Sequence, residues 1–399
     1  MTRNTIIILL IYIVTSNFSY GQNGVYPKID SIVLSKMKEF RIVGLSIGIV
    51  KDGKILYTNG YGFTDIDNIH KVTFDTRFDV ASISKVFTAT AIMQLTEHGK
   101  LDLNKKVVDY LPEFKLKDER YKEITILNLL THSSGLMWDN ALKNKASDST
   151  ALHDFILSLD KTKLQFKPGE KFNGTTYSNT GFDLLGYIVQ KLTNTPFQNY
   201  IYENVIGVSG MTTSTYSKNI SLETLAQPLK LYGNSKEITK FNLFGEIKDV
   251  NPIFKYPNNP IIKWENYHLS SPEHYPSGFL NSNSKDLSNW IIENLKAYNN
   301  QGSKLITSNL IRSMWTLKRD IEGKKTSIGL GWWRYTDSTK GNYVFHVGRE
   351  KGYSSTLRIY PEKNIGIVIL SNAYYAYDEI WNEIPDLIIK AIENENNGR

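Results

Sequence analysis

Strand-type runs lie at the two ends of this chain and helical spacing fills the stretch between them, so any sheet must be assembled from both ends. Near the start, Leu45–Val50 and Ile55–Gly60 flank Lys51-Asp52-Gly53-Lys54. An Asp-Gly pair between two β-type runs predicts a hairpin. Near the finish, Tyr343–His346, Ser354–Tyr360 and Ile365–Ser371 read as strands, the last two joined at Pro361-Glu362-Lys363-Asn364, and a helix from about Tyr377 to Ile392 closes the chain. Another helix, Ile29–Phe40, precedes the first strand. Between the ends, apolar residues at helical spacing mark Ser82–Gly99, Thr125–Leu130, Ser149–Leu157, Asn179–Leu192 and Pro196–Val205. These patterns predict an α/β (α+β) fold class, with one antiparallel sheet flanked by helices and an inserted helical subdomain. In residue terms, 22–81 and 275–399 form the α/β part and 82–274 the helical part. Residues 216–274 are weakly periodic and mix aromatics with Asn and Pro; so long a stretch without regular elements reads as a lid or binding loop.

Residues 1–21 read as a secretory signal peptide: Arg3 supplies the basic start, Ile6–Val14 the apolar run and Ser19-Tyr20-Gly21 the small-x-small cleavage site. That run is shorter than the roughly 20 residues needed to span a bilayer, so the expectation is cleavage and export, periplasmic or secreted, with no stable membrane span. The chain has 399 residues, enough for a large core, and no cysteine, which excludes disulfides, thiolate metal sites and a cysteine nucleophile. Its net charge of +7 is spread among acidic residues rather than gathered in a stripe, so no nucleic-acid partner is expected. The histidines His70, His98, His132, His153, His268 and His274 are dispersed without metal-type spacing, and no metal or other cofactor is expected.

The chemistry lies in three short groups taken in order. Ser-x-x-Lys occurs at Ser82/Lys85 but also at Ser35/Lys38, Ser158/Lys161 and Ser282/Lys285. Ser82 stands apart because Phe78-Asp79-Val80-Ala81 leads into it and a helical run follows, placing it at or just before a helix N-terminus. There the helix dipole favours an alkoxide or oxyanion, and Lys85, three residues on, lies on the same face as a base. Ser84 faces away. Tyr177, in Tyr177-Ser178-Asn179, ends a turn-rich approach to another helix start, where a phenol can relay a proton and Asn179 can hold an acyl group. His346 ends a predicted strand in His346-Val347-Gly348, where Gly348 is expected to let substrate lie close to the backbone. The Arg349 N–H, with that of Ser82, is expected to form an oxyanion hole. One decoy is set aside: Gly44-Leu45-Ser46-Ile47-Gly48 spells Gly-x-Ser-x-Gly, but its strand runs on to Val50 instead of turning into a helix.

Together these groups resemble the serine β-lactamase and penicillin-binding-protein superfamily, in the class C β-lactamase-related branch that includes esterases, D-aminopeptidases and D-Ala-D-Ala carboxypeptidases. Leu129–Leu136, Gly181–Leu185, Gly329-Leu330-Gly331-Trp332 and Gly348–Gly352 with Tyr353 and Ser355 add to the resemblance, which covers nearly all of the chain after residue 21. It implies that Ser82 is the acylated nucleophile, that Lys85 and Tyr177 share base and acid roles, and that Asn179, His346, Gly348 and Arg349 contact substrate. The chain departs from the pattern at the third group, where many relatives carry Lys-Thr-Gly. His is mostly neutral at pH 7, and Val347 lacks the Thr hydroxyl that in relatives helps hold a substrate carboxylate, although Arg349 stands next to it. The expectation is a cofactor-free, exported serine hydrolase acting on small esters or D-amino-acid, peptidoglycan-type peptides. Two alternatives stay open: a β-lactamase or D-Ala-D-Ala carboxypeptidase, and a non-catalytic penicillin- or peptide-binding sensor or scaffold. Oligomeric state is not legible.

Overall fold

The computed structural model describes residues 25–65, 67, 69–137, 150–170, 176–216, 224–232, 261–264, 271–316, 318–320, 324–337 and 341–397. The expected signal peptide, and most of the expected lid at 216–274, lie outside the described residues.

Among the described residues the strands are β1 (Gly44–Lys51), β2 (Lys54–Gly62), β3 (Phe78–Asp79), β4 (Leu229–Tyr232), β5 (Ile261–Trp264), β6 (Asn281–Ser282), β7 (Arg319–Asp320), β8 (Thr326–Ile328), β9 (Trp333–Tyr335), β10 (Tyr343–Glu350), β11 (Tyr353–Tyr360) and β12 (Ile365–Ser371). The helices are α1 (Val25–Phe40), α2 (Ser84–Glu97), α3 (Val107–Tyr110), α4 (Ile126–Leu130), α5 (Ala151–Leu157), α6 (Asn179–Thr193), α7 (Phe197–Ile201), α8 (Ser284–Tyr298), α9 (Ser308–Trp315) and α10 (Ile384–Asn397). Eight strands form one antiparallel sheet in the order β2-β1-β12-β11-β10-β9-β8-β7, so the two ends of the chain meet where β1 pairs with β12. The expected hairpin is present: Asp52 and Gly53 both take positive φ, which matches the twist of the strands they join.

Pleating sorts side chains between two layers. In β1 and β12, Leu45, Ile47, Ile49, Ile365, Ile367 and Ile369 pack with α1 and α10 on one face, whereas Val50, Val368 and Leu370 join the larger core on the other. Helix α8 crosses that second face at close range. A Cβ at Gly48 would lie 2.2 Å from Ser288 Oγ, and one at Gly366 would lie 2.3 Å from Ile291 Cγ2, so both positions require glycine. With both faces covered, the central strands read as nearly continuous apolar runs rather than alternating ones.

Candidate active site

The Val80–Ser82 turn is built before any chemistry is considered. Val80 N–H donates to the Leu280 carbonyl (2.9 Å), and the Val80 carbonyl accepts from Ser355 Oγ on β11 (2.9 Å). Ala81 has φ +50°, a left-handed conformation costing roughly 1 to 3 kcal/mol in a non-glycine residue, and its N–H is held by Asp79 Oδ1 at 2.7 Å. Ser82 follows in the single 3-10 turn Ala81–Ile83, which runs directly into α2. Ser84 is committed elsewhere, donating to the Ala81 carbonyl (2.7 Å) and accepting from Leu280 N–H (3.1 Å).

Lys85 points back along α2 to Ser82. Its Nζ lies 3.1 Å from Ser82 Oγ and 2.6 Å from the Ser277 carbonyl, and the side chain is fully enclosed. Burial pulls its pKa down to about 7, against the opposing pull of the Asp183 and Glu350 carboxylates. A substantial fraction is therefore the free amine near neutrality, already hydrogen-bonded to the hydroxyl it would deprotonate.

Ser178, not Asn179, caps α6, accepting from Gly181 N–H at 3.0 Å; this leaves the residues on either side free to face the site. The Tyr177 ring centroid is 4.9 Å from Lys85 Nζ. Its hydroxyl oxygen is sealed from solvent without a well-formed hydrogen bond. Burial holds the phenol well above its usual pKa, and nearby Ser82 offsets this only in part, so the group is a proton donor at neutral pH. Asn179 Oδ1 is likewise buried without a partner among the described residues, an acceptor waiting for a donor.

His346 enters from β10. Its Nδ1 donates to the Val347 carbonyl (2.8 Å), which leaves Nε2 as a buried acceptor without a partner among the described residues. Burial, then the charge of Lys85, lowers its pKa to about 3, so the imidazole is neutral.

Three expectations at this strand are corrected. A Cβ on Gly348 would lie 2.2 Å from both the Val80 carbonyl oxygen and Ser355 Oγ, so this glycine makes room for the nucleophile turn rather than for substrate. Val347 is one residue out of phase with His346 and packs in the apolar layer with α1 and α10, so a threonine hydroxyl there would face away from the site. The Arg349 guanidinium, on that same pleat, stacks over the rings of Tyr374 (4.0 Å) and Tyr377 (4.1 Å) instead of joining Ser82, Lys85 and His346. The Gly348–Arg349 segment nonetheless runs beside the Val80–Ser82 turn, as an oxyanion role for the Arg349 N–H requires.

Sequence reasoning missed His132. It lies in the Leu129–Leu136 block but was placed only among the dispersed histidines. Its Nδ1 accepts from Ser178 N–H (3.1 Å), its ring centroid is 4.4 Å from that of Tyr177, and burial, then Lys85 and His346, keeps it far below the usual imidazole pKa. It is a neutral wall that orients Tyr177. The Ser277 carbonyl was also missed, because a backbone acceptor leaves no signal in side-chain identity. Ser46 is confirmed as a strand residue, fully buried and 2.7 Å from Ser284 Oγ beneath α8.

Since the Tyr177 hydroxyl, among the described residues, approaches only the reactive Ser82 and has no well-formed bond to the scaffold, Tyr177→Phe should leave thermal stability nearly unchanged while lowering turnover by roughly 10² to 10⁴. Steady-state kinetics beside a melting curve checks this, and near-normal turnover would move the acid role to another group.

Comparison with known proteins shows the family and the fold. The family model for Beta-lactamase matches residues 29–384. Protein flp of Staphylococcus aureus strain MRSA252 is 29% identical over 364 residues, covering 89% of this chain and 64% of its own length. This chain therefore spans a little under two thirds of that relative. The octameric penicillin-binding protein homologue from Pyrococcus abyssi superposes with a TM-score of 0.71 at 25% identity, over 92% of this chain and 77% of its own. D-amino acid amidase from Ochrobactrum anthropi SV3 shares the fold with a TM-score of 0.73 at 19% identity, over 93% and 99% of the two chains. A family match across most of the chain, joined to a serine and a buried lysine in hydrogen-bond contact, places this protein in the β-lactamase family of serine hydrolases.

Proposed function

We propose that this chain is an exported serine hydrolase that cleaves ester or amide bonds through a Ser82 acyl-enzyme, with small esters or D-amino-acid, peptidoglycan-type peptides as substrates. The observation that carries the reading is the enclosed Lys85 amine, poised near neutrality and 3.1 Å from Ser82 Oγ. In the first step Ser82 Oγ attacks the carbonyl carbon as its proton passes to Lys85 Nζ. The oxyanion is held by N–H groups of the Ser82 turn and the adjoining strand. The carbon–oxygen or carbon–nitrogen bond then breaks as the leaving group takes a proton, delivered through Tyr177. Water attacks the acyl carbon in the second step and gives its proton to the same base, which passes it to Ser82 Oγ as the Oγ–acyl bond breaks and the acid leaves. Asn179 donates its amide N–H to the acyl group. Export rests on residues 1–21, and among the described residues no helix is long and apolar enough to cross a membrane.

The third group bears on substrate choice. His346 is neutral, Val347 faces the other layer, and the Arg349 cation is stacked on two tyrosines. None of them offers a fixed cation or hydroxyl for a substrate carboxylate beside Ser82. Each such charge-assisted hydrogen bond is worth about 1.5 to 3 kcal/mol, so neutral esters and amides are expected to be turned over at least about tenfold faster than a cephalosporin or a D-Ala-D-Ala peptide. The test is a panel of p-nitrophenyl esters, D-amino-acid amides, a D-Ala-D-Ala peptide and a chromogenic cephalosporin on purified residues 22–399. A preference for the carboxylate-bearing substrates would overturn the specificity reading in favour of the β-lactamase or carboxypeptidase alternative. A single acylation equivalent without steady-state turnover of any substrate would favour the sensor alternative.

A further inference from the structure

Behind Lys85 lies a carboxylate–imidazole pair, its carboxylate enclosed and its imidazole part-buried, that the acyl-transfer scheme does not use. Asp183 sits on α6, four residues past Asn179, with its side chain fully enclosed, and its Oδ2 is 2.8 Å from His274 Nδ1. The other carboxylate oxygen, Oδ1, is buried without a hydrogen bond among the described residues, which leaves His274 as the counter-ion to this carboxylate. His274 ends the 3-10 turn Pro272–His274, and its carbonyl accepts from the N–H groups of Ser277 (3.0 Å) and Gly278 (2.8 Å). The same short segment holds α2, since the Ser277 carbonyl receives Lys85 Nζ and the Pro276 carbonyl receives Thr88 Oγ1 at 2.7 Å. His274 is thus tied at one end to Asp183 and at the other to the loop that seats the base.

We infer that Asp183 and His274 form a positioning pair for Lys85, in which the imidazolium balances the Asp183 carboxylate and the turn it anchors holds the amine against Ser82. The inference rests on Lys85 being the base of the proposed hydrolase. An unbalanced carboxylate facing Lys85 would hold it as an ammonium ion and silence it; an unbalanced imidazolium would do the reverse. Burial works against the charged imidazole, yet the Asp183 carboxylate and its hydrogen bond, with help from Glu273, raise His274 above its ordinary pKa, so its contact with Asp183 favours the imidazolium. The other titratable groups facing this cluster are Glu350 and His346 from β10, Glu273 beside His274, and His132 and Tyr177 across the site. Glu350 is half-buried, desolvation raises its pKa, and among the described residues no histidine makes a hydrogen bond to it.

The test follows Lys85 directly, by the NMR titration of its ¹³Cε resonance in the full chain, identified by its loss in Lys85→Met. His274→Gln should move the midpoint up by about one pH unit and Asp183→Asn should move it down, with the double variant Asp183→Asn/His274→Gln between them. The acid limb of kcat/KM should move in the same directions. Midpoints unmoved in folded single variants, whatever happens to stability, would overturn the pairing. Because coupling between sites is reciprocal, Lys85→Met should raise the His274 titration midpoint, a second readout in a variant that leaves the pair itself intact. An unmoved His274 midpoint would also overturn it. The NMR readout needs no substrate, so the two claims fail separately: coupled midpoints without any turnover would sink the hydrolase reading and leave the pair standing, whereas turnover without coupling would sink the pair alone.

Discussion

Ser82→Ala is expected to reduce turnover of every ester and amide substrate by roughly 10⁴-fold or more while leaving the fold intact. The change deletes one oxygen from a residue that makes no cap: neither the 3-10 turn nor α2 has a side-chain cap bond, and Ser82 is the N-cap of neither. Its side-chain hydrogen bond with Lys85 is lost, but the Lys85 Nζ keeps the Ser277 carbonyl as a partner. A cap at this position would have added about 1 kcal/mol to the expected loss of stability, and its absence predicts an almost unchanged melting temperature. Kinetics and a thermal melt on the same preparation check both halves. Full turnover in the folded variant would require a different nucleophile.

Lys85→Met should separate activity from stability in opposite directions. Lys85 titrates at about 7 in the folded chain, compared with an ordinary value of 10.5, so between those pH values the unfolded chain binds more protons and stability rises with pH. The penalty for burying the amine is complete below pH 7 and gone above about pH 10.5. Replacing it with an apolar side chain of similar shape removes that penalty, partly offset by the stranded Ser277 carbonyl, for a net gain on the order of 2 kcal/mol at pH 6. The gain should shrink steadily as the pH approaches 10. Turnover should fall by roughly 10² to 10⁴ over the same range. Urea denaturation at pH 6, 8 and 10 measures the trend; a variant that loses stability at pH 6 would mean that Lys85 is not held against its charge.

What could be read in advance depended on whether the deciding contact was local. Lys51-Asp52-Gly53-Lys54 named its own turn, and Ser82 with Lys85 needed only the spacing of one helical turn to be placed in contact. The strands β1, β2 and β10–β12 carried enough apolar residues to be found, although β10 runs four residues beyond the expected end at His346. That extension decided the errors. Which pleat Val347 and Arg349 occupy follows from strand parity and from the layers above and below, and neither is visible in a three-residue motif. Gly348 was correctly singled out but for the wrong neighbour, because the Val80 carbonyl arrives from 268 positions away in the chain. The short strands β7–β9 pair over two or three residues each, too few to produce a readable alternation. Helix α8 went unrecognised although Asn283 caps it through Asp286 N–H, a signal that was available. Asp183 lies inside the Gly181–Leu185 block, but its pairing with His274 was out of reach, since 91 positions separate the two and His274 lies in no motif.

The most direct test of the central claim is to trap the acyl-enzyme. The protein is mixed with a p-nitrophenyl ester, quenched in acid during the burst and digested with trypsin, and the peptide Phe78–Lys85 is fragmented by mass spectrometry. The acyl mass should sit on Ser82 and be absent from the same peptide of the Ser82→Ala protein and from the longer peptide Phe78–Lys100 of the Lys85→Met protein at the same quench time. An adduct on Ser84 or Ser46, or steady hydrolysis with no adduct on this peptide, would contradict it.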